Sequence, residues 1–321
     1  MLEVIGLGKQ VSPYFNLSNI HFRQDVGEKL AIAGSSGSGK STLLQLIAGH
    51  QSADTGSIHL FGKRVAGPHE QLIPGHPGLA YLSQQPELPH HYFVHELFSY
   101  ANQWEGGRGR ELFEWCRIDH LMDRKHTEIS GGEQQRIALA LLLISSPRWL
   151  LLDEPFSHLD AINQSILQQV LDDVSARLSI TCLLCSHQPD HLFSWANRLL
   201  ILRDGAMVAA GSPSDLYQRP ADAYVAGLLG EFELLSPEHA NRWKPAPQQQ
   251  NSFEHRMIRP ENLVFSTTAG SDSLPCQVIS SQFAGKGNVY QVNCEGKTYR
   301  FFDIGEKWTS GMNGYLSLRK S

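Results

Sequence analysis

The hydrophobic and polar positions of the chain alternate between strand-like and helix-like patterns over most of its length. Residues 30–33 form an apolar run with the length of a buried strand, and residues 43–47 place apolar side chains at helical spacing up to Gly49. Residues 149–152 form a second continuous apolar run, as in strands that are buried on both faces of a parallel sheet. Such alternation predicts an α/β fold around a parallel sheet.

A different pattern follows towards the C-terminus. Residues 236–253 contain three prolines, a Gln-Gln-Gln run and few apolar side chains, which predicts a linker. Beyond it, Tyr290, Val292 and Cys294 alternate with polar residues, and residues 298–304 are rich in aromatic and β-branched residues. We therefore predict a large domain over residues 1–235, the linker over 236–253 and a small all-β domain over 254–321.

Composition limits the partners and the compartment of the protein. The net charge is −5 and the basic residues are not clustered, so we expect no nucleic-acid partner. No apolar segment is long enough to span a bilayer, and we expect no signal peptide. Five scattered cysteines favour a reducing compartment, and the C-x-x-C pair Cys182 and Cys185 lies in an apolar run that is typical of buried structural thiols.

The segment between the first strand and helix fits a phosphate-binding loop. It satisfies the pattern G-x-x-x-x-G-K-[ST], in which backbone N–H groups and a helix N-terminus surround an anion. Lys40 is expected to reach the β- and γ-phosphates, and the Ser41 hydroxyl to ligate Mg²⁺. We therefore predict that the chain binds a nucleoside triphosphate through Gly34, Ser35, Ser36, Gly37, Ser38, Gly39, Lys40, Ser41 and Thr42.

Two acidic residues directly follow the second apolar run. Acidic residues at the carboxyl end of a buried strand emerge where α/β sheets bind ligands. Asp153 is therefore a candidate Mg²⁺ ligand, directly or through water, and Glu154 is a candidate general base for the attacking water. The alternative interpretation is a pair of solvated carboxylates at a strand end. The phosphate loop in the same chain favours the functional interpretation.

Ser130 and Glu133 open a strongly apolar helix with the spacing of a capping box. A well-capped helix is the simplest interpretation of this segment. The serine hydroxyl, the N–H groups of Gly131 and Gly132 and the helix N-terminus also form a second anion site. Because one nucleotide does not need two such sites on one face, the second fits a nucleotide that is held mainly by another subunit.

These motifs, in this order, resemble the ATP-binding subunits of ABC transporters over nearly the whole chain. Beside the phosphate loop and the acidic pair, the matching segments are the glutamine loop (81–86, with Gln84 at the key position), the signature (130–134), the loop after the acidic motif (157–160) and the switch histidine His187. The resemblance implies a P-loop ATPase domain with a helical subdomain, followed by the small OB-like domain called TOBE.

The resemblance also implies a mechanism with ATP and Mg²⁺. Two such subunits form a head-to-tail dimer, in which the phosphate loop of one and the signature of the other hold each ATP. His187 would sense the γ-phosphate, and Gln84 would join the Mg²⁺ ligands and link the attacking water to a membrane subunit. The signature and the following loop would add the nucleotide-binding residues Ser130, Gly131, Gly132 and Asp160. Hydrolysis would remove the bridging γ-phosphate contact and open the dimer.

The aromatic residue that stacks on adenine in this family is not at its usual place. The best-aligned residue is Val11, which cannot stack, and Tyr14 or Phe15 lies nearby. Tyr14 is our candidate, with ordinary packing as the alternative. His90, His91 and His95 after the glutamine loop are more typical of solvated or interface histidines than of a metal site.

Residues 202–235 and 257–261 resemble one importer branch, which handles sugars, inorganic ions, ferric iron and polyamines and carries the TOBE domain. This implies a peripheral protein at the cytoplasmic face of the cell membrane. Its expected partners are a second ATPase subunit, two membrane permease subunits and, indirectly, an extracytoplasmic substrate-binding protein. The short C-terminal domain favours an inorganic ion such as ferric iron, with sugar or polyamine import as the alternative.

Two other functions are compatible with parts of the sequence. A soluble, non-transport ABC ATPase would usually carry two cassettes or a long coiled coil, but the chain has one phosphate loop and no sustained heptads. A ligand sensor with a degenerate ATPase is disfavoured because Lys40, Asp153, Glu154 and His187 are all present.

Overall fold

The computed structural model describes residues 1–89, 92–100, 108–243, 257–305 and 307–319. The chain forms two compact units, Met1–Pro213 and Ser214–Ser321. The first unit is mixed α/β and the second is built mainly on an antiparallel sheet, which confirms the predicted fold class. Within the described ranges, no helix combines the length and the apolar character that crossing a bilayer requires.

Two sheets organise the first unit. Their strands are β1 (Leu2–Ser12), β2 (Phe15–Gln24), β3 (Leu30–Ala33), β4 (Thr55–Leu60), β5 (Lys63–Arg64), β6 (Leu79–Leu82), β7 (Trp149–Asp153), β8 (Thr181–Ser186), β9 (Arg198–Arg203) and β10 (Ala206–Gly211). The six-stranded sheet has the order β10-β9-β3-β8-β7-β6, and the four-stranded sheet has the order β2-β1-β4-β5. The larger sheet is parallel except for β10, which pairs antiparallel with β9. The smaller sheet is antiparallel.

The helices of this unit are α1 (Lys40–Ala48), α2 (Val94–Tyr100), α3 (Arg108–Trp115), α4 (Gly131–Leu143), α5 (Ala161–Leu178) and α6 (Pro189–Trp195). α1 buries the predicted apolar positions in one core with residues of both sheets, since Leu43, Leu44, Leu46 and Ile47 are each at most 1% exposed. It ends at Gly49, whose φ of 76° is the left-handed cap conformation that favours glycine.

The strand register brings the candidate segments together. β3, β7 and β8 are buried along their whole length, as their apolar sequences predict. Ala33 pairs with Ser186, and Asp153 pairs with Cys185, so these three strands end at one edge of the sheet. The phosphate loop, the acidic pair and the switch histidine all begin at that edge.

The second unit is built on a five-stranded antiparallel sheet. Its elements are α7 (Pro213–Gln218), α8 (Ala223–Leu229), β11 (Glu233–Leu234), α9 (Pro237–Trp243), β12 (Met257–Ile258), β13 (Leu263–Ser266), β14 (Leu274–Phe283), β15 (Asn288–Cys294), β16 (Lys297–Asp303) and β17 (Asn313–Leu318), with the sheet order β13-β17-β14-β15-β16. The edge strands β13 and β16 approach each other, and the stacked rings of Phe265 and Phe301 lie 5.6 Å apart. The sheet therefore curls towards a barrel.

The predicted linker contains a helix in its first part, because α9 occupies residues 237–243. Trp243 of α9 is 4% exposed and belongs to the core of the C-terminal sheet. The remainder of the predicted linker, residues 244–253, lies outside the described residues. The domain boundaries 1–235 and 254–321 stay a prediction.

Arg259 holds the first part of the second unit to its sheet. The side chain is 2% exposed, and its guanidinium donates to the carbonyl oxygens of Tyr217, Ala226, Gly230 and Glu231 at 2.8–3.3 Å. It also lies 4.0 Å from the ring centroid of Tyr217. A buried charge is tolerated when its donors are satisfied, and here backbone carbonyls at the C-terminal ends of α7 and α8 satisfy them.

The cysteines divide into two groups. Cys276 and Cys294 are direct register partners on β14 and β15 and form a disulfide, with Cα atoms 4.2 Å apart. Their separation of 18 residues along the chain does not reveal this pairing. Cys182 and Cys185 are buried free thiols of β8, as the apolar run predicts, and burial raises the pKa of Cys182 to about 12.

Candidate nucleotide-binding site

The phosphate loop lies between β3 and α1 and is held by its own backbone. Ser38 N–H donates to the Ser35 carbonyl at 3.1 Å, and Gly37 and Gly39 have φ values of 79° and 102°, which favour glycine. A Cβ atom on Gly39 would lie 2.6 Å from the Leu17 side chain, so the loop also needs glycine there for space.

Polar groups of this loop fit an anion. The Lys40 side chain is 7% exposed, and its ammonium donates to the carbonyl oxygens of Gly34 and Ser35 at 2.8 and 3.1 Å. The buried Ser38 hydroxyl has no hydrogen-bond partner within the described ranges. A buried unpaired hydroxyl is unfavourable, and a phosphate oxygen would satisfy it.

The carboxylate of Asp153 lies at the end of β7, and two hydroxyl groups hold it. Its Oδ1 accepts a hydrogen bond from Ser41 Oγ at 3.0 Å, and its Oδ2 accepts one from the Tyr81 hydroxyl at 2.9 Å. Burial raises the pKa of Asp153, and these two hydrogen bonds oppose the increase. Burial and the charge of Asp153 together raise the pKa of Tyr81, so its hydroxyl remains a donor at neutral pH.

Glu154 lies between the loop lysine and the switch histidine. Its Oε1 is 3.7 Å from Lys40 Nζ, and its Oε2 is 2.8 Å from His187 Nδ1. The backbone of Glu154 is left-handed, with φ of 48°, an uncommon conformation for a residue with a side chain. Hydrogen bonds to the Cys185 carbonyl and from Ser157 fix this turn at 2.8–3.1 Å. Such strain persists at sites where the fold determines the geometry.

A cavity of 420 Å³ joins these elements. Its lining residues come from the N-terminal strands, the phosphate loop, the glutamine loop and the ends of β7 and β8, namely Val11, Phe15, Ser36, Gly37, Gly39, Lys40, Ser41, Thr42, Gln84, Glu154 and His187. The structure therefore brings six of the predicted phosphate-loop residues to one cavity with Gln84, Glu154 and His187, whereas Gly34, Ser35, Ser38 and Asp153 are not among its lining residues. A loop rich in N–H donors, a cationic side chain and a carboxylate beside it can bind and hydrolyse a phosphoanhydride.

Comparison with known proteins agrees with this geometry. The protein-family description "ABC transporter" matches residues 17–157. The Fe(3+) ions import ATP-binding protein FbpC of Serratia marcescens is 32% identical over 303 residues, which cover 88% of this chain and 86% of that protein. This chain belongs to the ABC transporter family. The prediction from the motifs is thereby confirmed, and the chain is an ATPase of this family.

Two further similarities extend to other members of the ABC transporter family. The glucose import ATP-binding protein GlcV of Saccharolobus solfataricus is 31% identical over 316 residues, covering 93% of this chain and 86% of that protein. The structure of CbiO1 from Clostridium perfringens, part of the ABC transporter complex CbiONQ, matches with a TM-score of 0.61 and 25% identity, over 67% of this chain and 90% of that chain.

The ABC signature segment lines a second cavity of 380 Å³, together with residues of the glutamine loop and the loop 157–159. Ser130 caps α4 by the predicted capping box, since its Oγ accepts from Glu133 N–H at 3.3 Å and its own N–H donates to Glu133 Oε2 at 2.7 Å. Gly131 is exposed, and Gly132 is buried against Asn163, where a Cβ would lie 2.7 Å from Oδ1. The signature does not line the 420 Å³ cavity of its own chain.

Asp160 caps α5. Its Oδ1 accepts from Asn163 N–H at 2.8 Å, and this hydrogen bond lowers the pKa of the exposed carboxyl. Gln84 lies at the border of both cavities, with Nε2 3.5 Å from His158 Nε2 and its carbonyl 3.2 Å from Gln135 Nε2. The ABC-family roles predicted for Asp160 and Gln84 as nucleotide and Mg²⁺ contacts stay predictions.

Two residues of the site differ from the sequence prediction, which preferred Tyr14 to Phe15 for the adenine contact and gave Tyr81 no role of its own. Phe15 lines the 420 Å³ cavity, whereas the predicted adenine contact Tyr14 is 98% exposed and is not among the lining residues. Tyr81 contacts Asp153, although the motif comparison gives it no function beyond its place in the glutamine-loop segment. Side chains alternate between the two faces of β6, with Ala80 and Leu82 buried on one face, so the strand pattern predicts only the face on which Tyr81 lies.

Oxygen donors lie close together beside the phosphate loop. Ser41 Oγ and Asp153 Oδ1 lie 3.0 Å apart, and Ser41 and Gln84 line the same cavity. Hydroxyl, carboxylate and amide oxygens are the ligands that Mg²⁺ prefers. His90 and His91 lie outside the described residues, and within the described ranges no group of three or more acidic, cysteine or histidine side chains could hold a metal.

Proposed function

We propose that the chain is the ATP-hydrolysing subunit of an importer, bound peripherally at the cytoplasmic face of the cell membrane. The observation that carries this proposal is the position of Glu154, which lies between Lys40 and His187 on the wall of the 420 Å³ cavity. Similarity to proteins named as import ATP-binding proteins supports the transport role.

The chain's own residues account for hydrolysis of the ATP γ-phosphate. Lys40 exchanges its carbonyl partners for phosphate oxygens, and the loop N–H groups and Ser38 hydroxyl donate to the same phosphates. Glu154 orients a water and accepts its proton as the water oxygen bonds to the γ-phosphorus and the bond to the bridging oxygen breaks. The products are ADP and inorganic phosphate. His187 holds the Glu154 carboxylate in place.

Ser41, Asp153 and Gln84 would hold Mg²⁺ in this site. When bound, the cation neutralises charge on the phosphate oxygens. The oxygen donors present fit this cation. Ser41 offers a hydroxyl oxygen beside the Asp153 carboxylate, which is 3% exposed, and a buried carboxylate is stabilised by a cation.

The subunit acts as a dimer. Ser130, Gly131 and Gly132 lie apart from the phosphate cavity of their own chain, as expected if they complete the site of a second subunit. Gly131 is the first residue of α4, directly after the capping residue Ser130, and it is exposed, so a second subunit can reach it. The further partners are two membrane permease subunits and, through them, an extracytoplasmic substrate-binding protein.

Phe15 is the better candidate for the adenine contact than Tyr14. It is half-buried, lines the cavity beside Val11, and offers an aromatic face near the phosphate loop. Tyr14 projects into solvent and would have to move to reach the same cavity.

The transported substrate is ferric iron in this proposal, following the similarity to the iron-import protein. Sugar import is the second candidate, because the protein named for glucose import is nearly as similar, at 31% identity. In this proposal the permease and the substrate-binding protein select the substrate, and the ATPase subunit supplies the energy.

Affinity purification of the tagged chain from detergent-solubilised membranes tests the transport role. We expect a permease in the purified material and Mg²⁺-dependent ATP turnover. Uptake of radioactive ferric iron and of glucose by cells that lack the chain then separates the two substrates. Recovery of ATPase activity with ribosomes or DNA instead of a permease would refute transport and leave the ATPase function intact.

A further inference from the structure

A line of hydrogen bonds ends at the Asp153 carboxylate. Gln51 Nε2 donates to Gln45 Oε1 at 2.5 Å, Gln45 Nε2 donates to the Tyr81 hydroxyl at 3.4 Å, and Tyr81 donates to Asp153 Oδ2 at 2.9 Å. The line connects the end of α1 to the end of β7 through β6. It approaches the carboxylate from the side opposite to Ser41, which donates to the other oxygen.

Tyr81 can make this contact in only one way. A phenol has a single O–H, and its donor goes to Asp153 while its oxygen accepts from Gln45. The ring packs edge-on against His50, with centroids 5.4 Å apart and planes at 88°. The ring and its hydroxyl are therefore oriented by groups that have no part in nucleotide binding.

The contact distinguishes the two oxygens of Asp153. Because Tyr81 binds Oδ2, the carboxylate turns Oδ1 towards Ser41 Oγ, the hydroxyl predicted to ligate Mg²⁺. Without the phenol, Oδ2 of a carboxylate that is 3% exposed loses its donor, and rotation about χ2 would satisfy it at the expense of Oδ1.

We propose that Tyr81 is a positioning residue for the divalent cation, which holds Asp153 so that Oδ1 faces the cation site. The proposal rests on the proposed ATPase function, and it assigns to the glutamine-loop strand a role in cation affinity. Partners that orient a metal ligand typically change metal affinity by 10- to 100-fold when they are removed.

The test uses the full chain with Tyr81→Phe, which removes only the hydroxyl. Binding of Mn²⁺ in the presence of ADP is measured by electron paramagnetic resonance, and the Mg²⁺ concentration for half-maximal ATP turnover is measured in parallel. We expect both to weaken by about tenfold, with unchanged binding of ADP in the absence of divalent cations. Tyr315→Phe, a half-buried tyrosine of the C-terminal unit, is the matched control.

A second variant keeps the test independent of folding. Gln45→Leu leaves the phenol in place but removes the amide that donates to it, and we expect a smaller shift of the Mn²⁺ affinity in the same direction. Equal Mn²⁺ affinity of wild type and a folded Tyr81→Phe variant would overturn the positioning role. Failure of the wild type itself to bind Mn²⁺ with ADP would instead refute the proposed cation-dependent ATPase, so the two failures are distinguishable.

Discussion

His187 contacts the carboxylate of Glu154 twice. Glu154 Oε2 lies 2.8 Å from His187 Nδ1 and also accepts a hydrogen bond from the His187 backbone N–H at 3.3 Å. The strand register explains the contact. Asp153 pairs with Cys185, so the segments that follow β7 and β8 leave the sheet side by side. The parallel sheet thus fixes the proposed base and the histidine that contacts it.

The first prediction concerns this carboxylate. Glu154→Gln should retain ATP binding, because the Lys40 and loop donors remain, but should slow hydrolysis by about 10²- to 10⁴-fold since an amide cannot accept the proton of water. We also expect an ATP-stabilised dimer in size-exclusion chromatography. Glu114→Gln, at an exposed position of α3, is the matched control. Normal turnover of Glu154→Gln would exclude Glu154 as the base.

The second prediction separates the two adenine candidates. Phe15→Ala should raise the ATP KM by about tenfold at nearly constant kcat, because base stacking contributes to binding and not to the chemical step. Tyr14→Ala should change neither constant, as its side chain is 98% exposed. Steady-state kinetics on both variants measures this. The reverse pattern would assign the adenine contact to Tyr14.

The third prediction is a pH dependence of stability. His76 Nδ1 accepts from Gly78 N–H at 3.0 Å, and burial, with the nearby charge of Lys63, lowers the pKa of His76 below the usual 6.5. The unfolded chain therefore binds the proton more tightly, so this contribution is complete above pH 6.5 and is lost as the pH falls through the folded-state pKa.

Urea unfolding at about pH 7.5 and about pH 5.5 measures this loss, with NMR titration of His76 as the direct readout. His76→Asn keeps a side-chain acceptor but cannot be protonated, so its free energy of unfolding should fall less on acidification than that of the wild type. If the free energy of unfolding of His76→Asn falls as much on acidification as that of the wild type, His76 is not the source of the pH dependence.

The fourth prediction concerns the disulfide. Cys276 and Cys294 join β14 to β15 over 18 residues, so reduction should lower the free energy of unfolding of the C-terminal unit by about 3 kcal/mol. Thermal unfolding with and without dithiothreitol measures the change. Alkylation of the chain unfolded without reductant should label three cysteines, Cys116, Cys182 and Cys185. Labelling of all five would show that the pair is not oxidised.

The sequence predicts the local parts of the site well. The phosphate loop, the acidic pair and the capped helix at Ser130 each depend on neighbouring residues, and the structure contains all three elements. Contacts between distant strands are harder to predict. Tyr81 meets Asp153 across 72 residues, and Cys276 meets Cys294 through a register that the spacing does not encode.

Phe15 and Tyr14 illustrate the same limit at short range. They are adjacent on the chain, and only the conformation of β1 and β2 decides which ring lines the cavity. The sequence therefore indicates an aromatic near the phosphate loop but not which one contributes it. Tyr14 lies in the turn between β1 and β2, whereas Phe15 is the first residue of β2 and pairs with Ser12, so the position of the turn decides which ring is exposed.

The Arg259 guanidinium has a consequence for building chimaeras of this protein. Four backbone carbonyls, those of Tyr217, Ala226, Gly230 and Glu231, accept hydrogen bonds from this one side chain, which lies beyond residue 254. A transplant or truncation that cuts after residue 235 would remove the arginine donor from all four of these carbonyls. The natural junction for exchanging modules among relatives is therefore Pro213–Ser214, so that the segment 214–235 travels with its arginine.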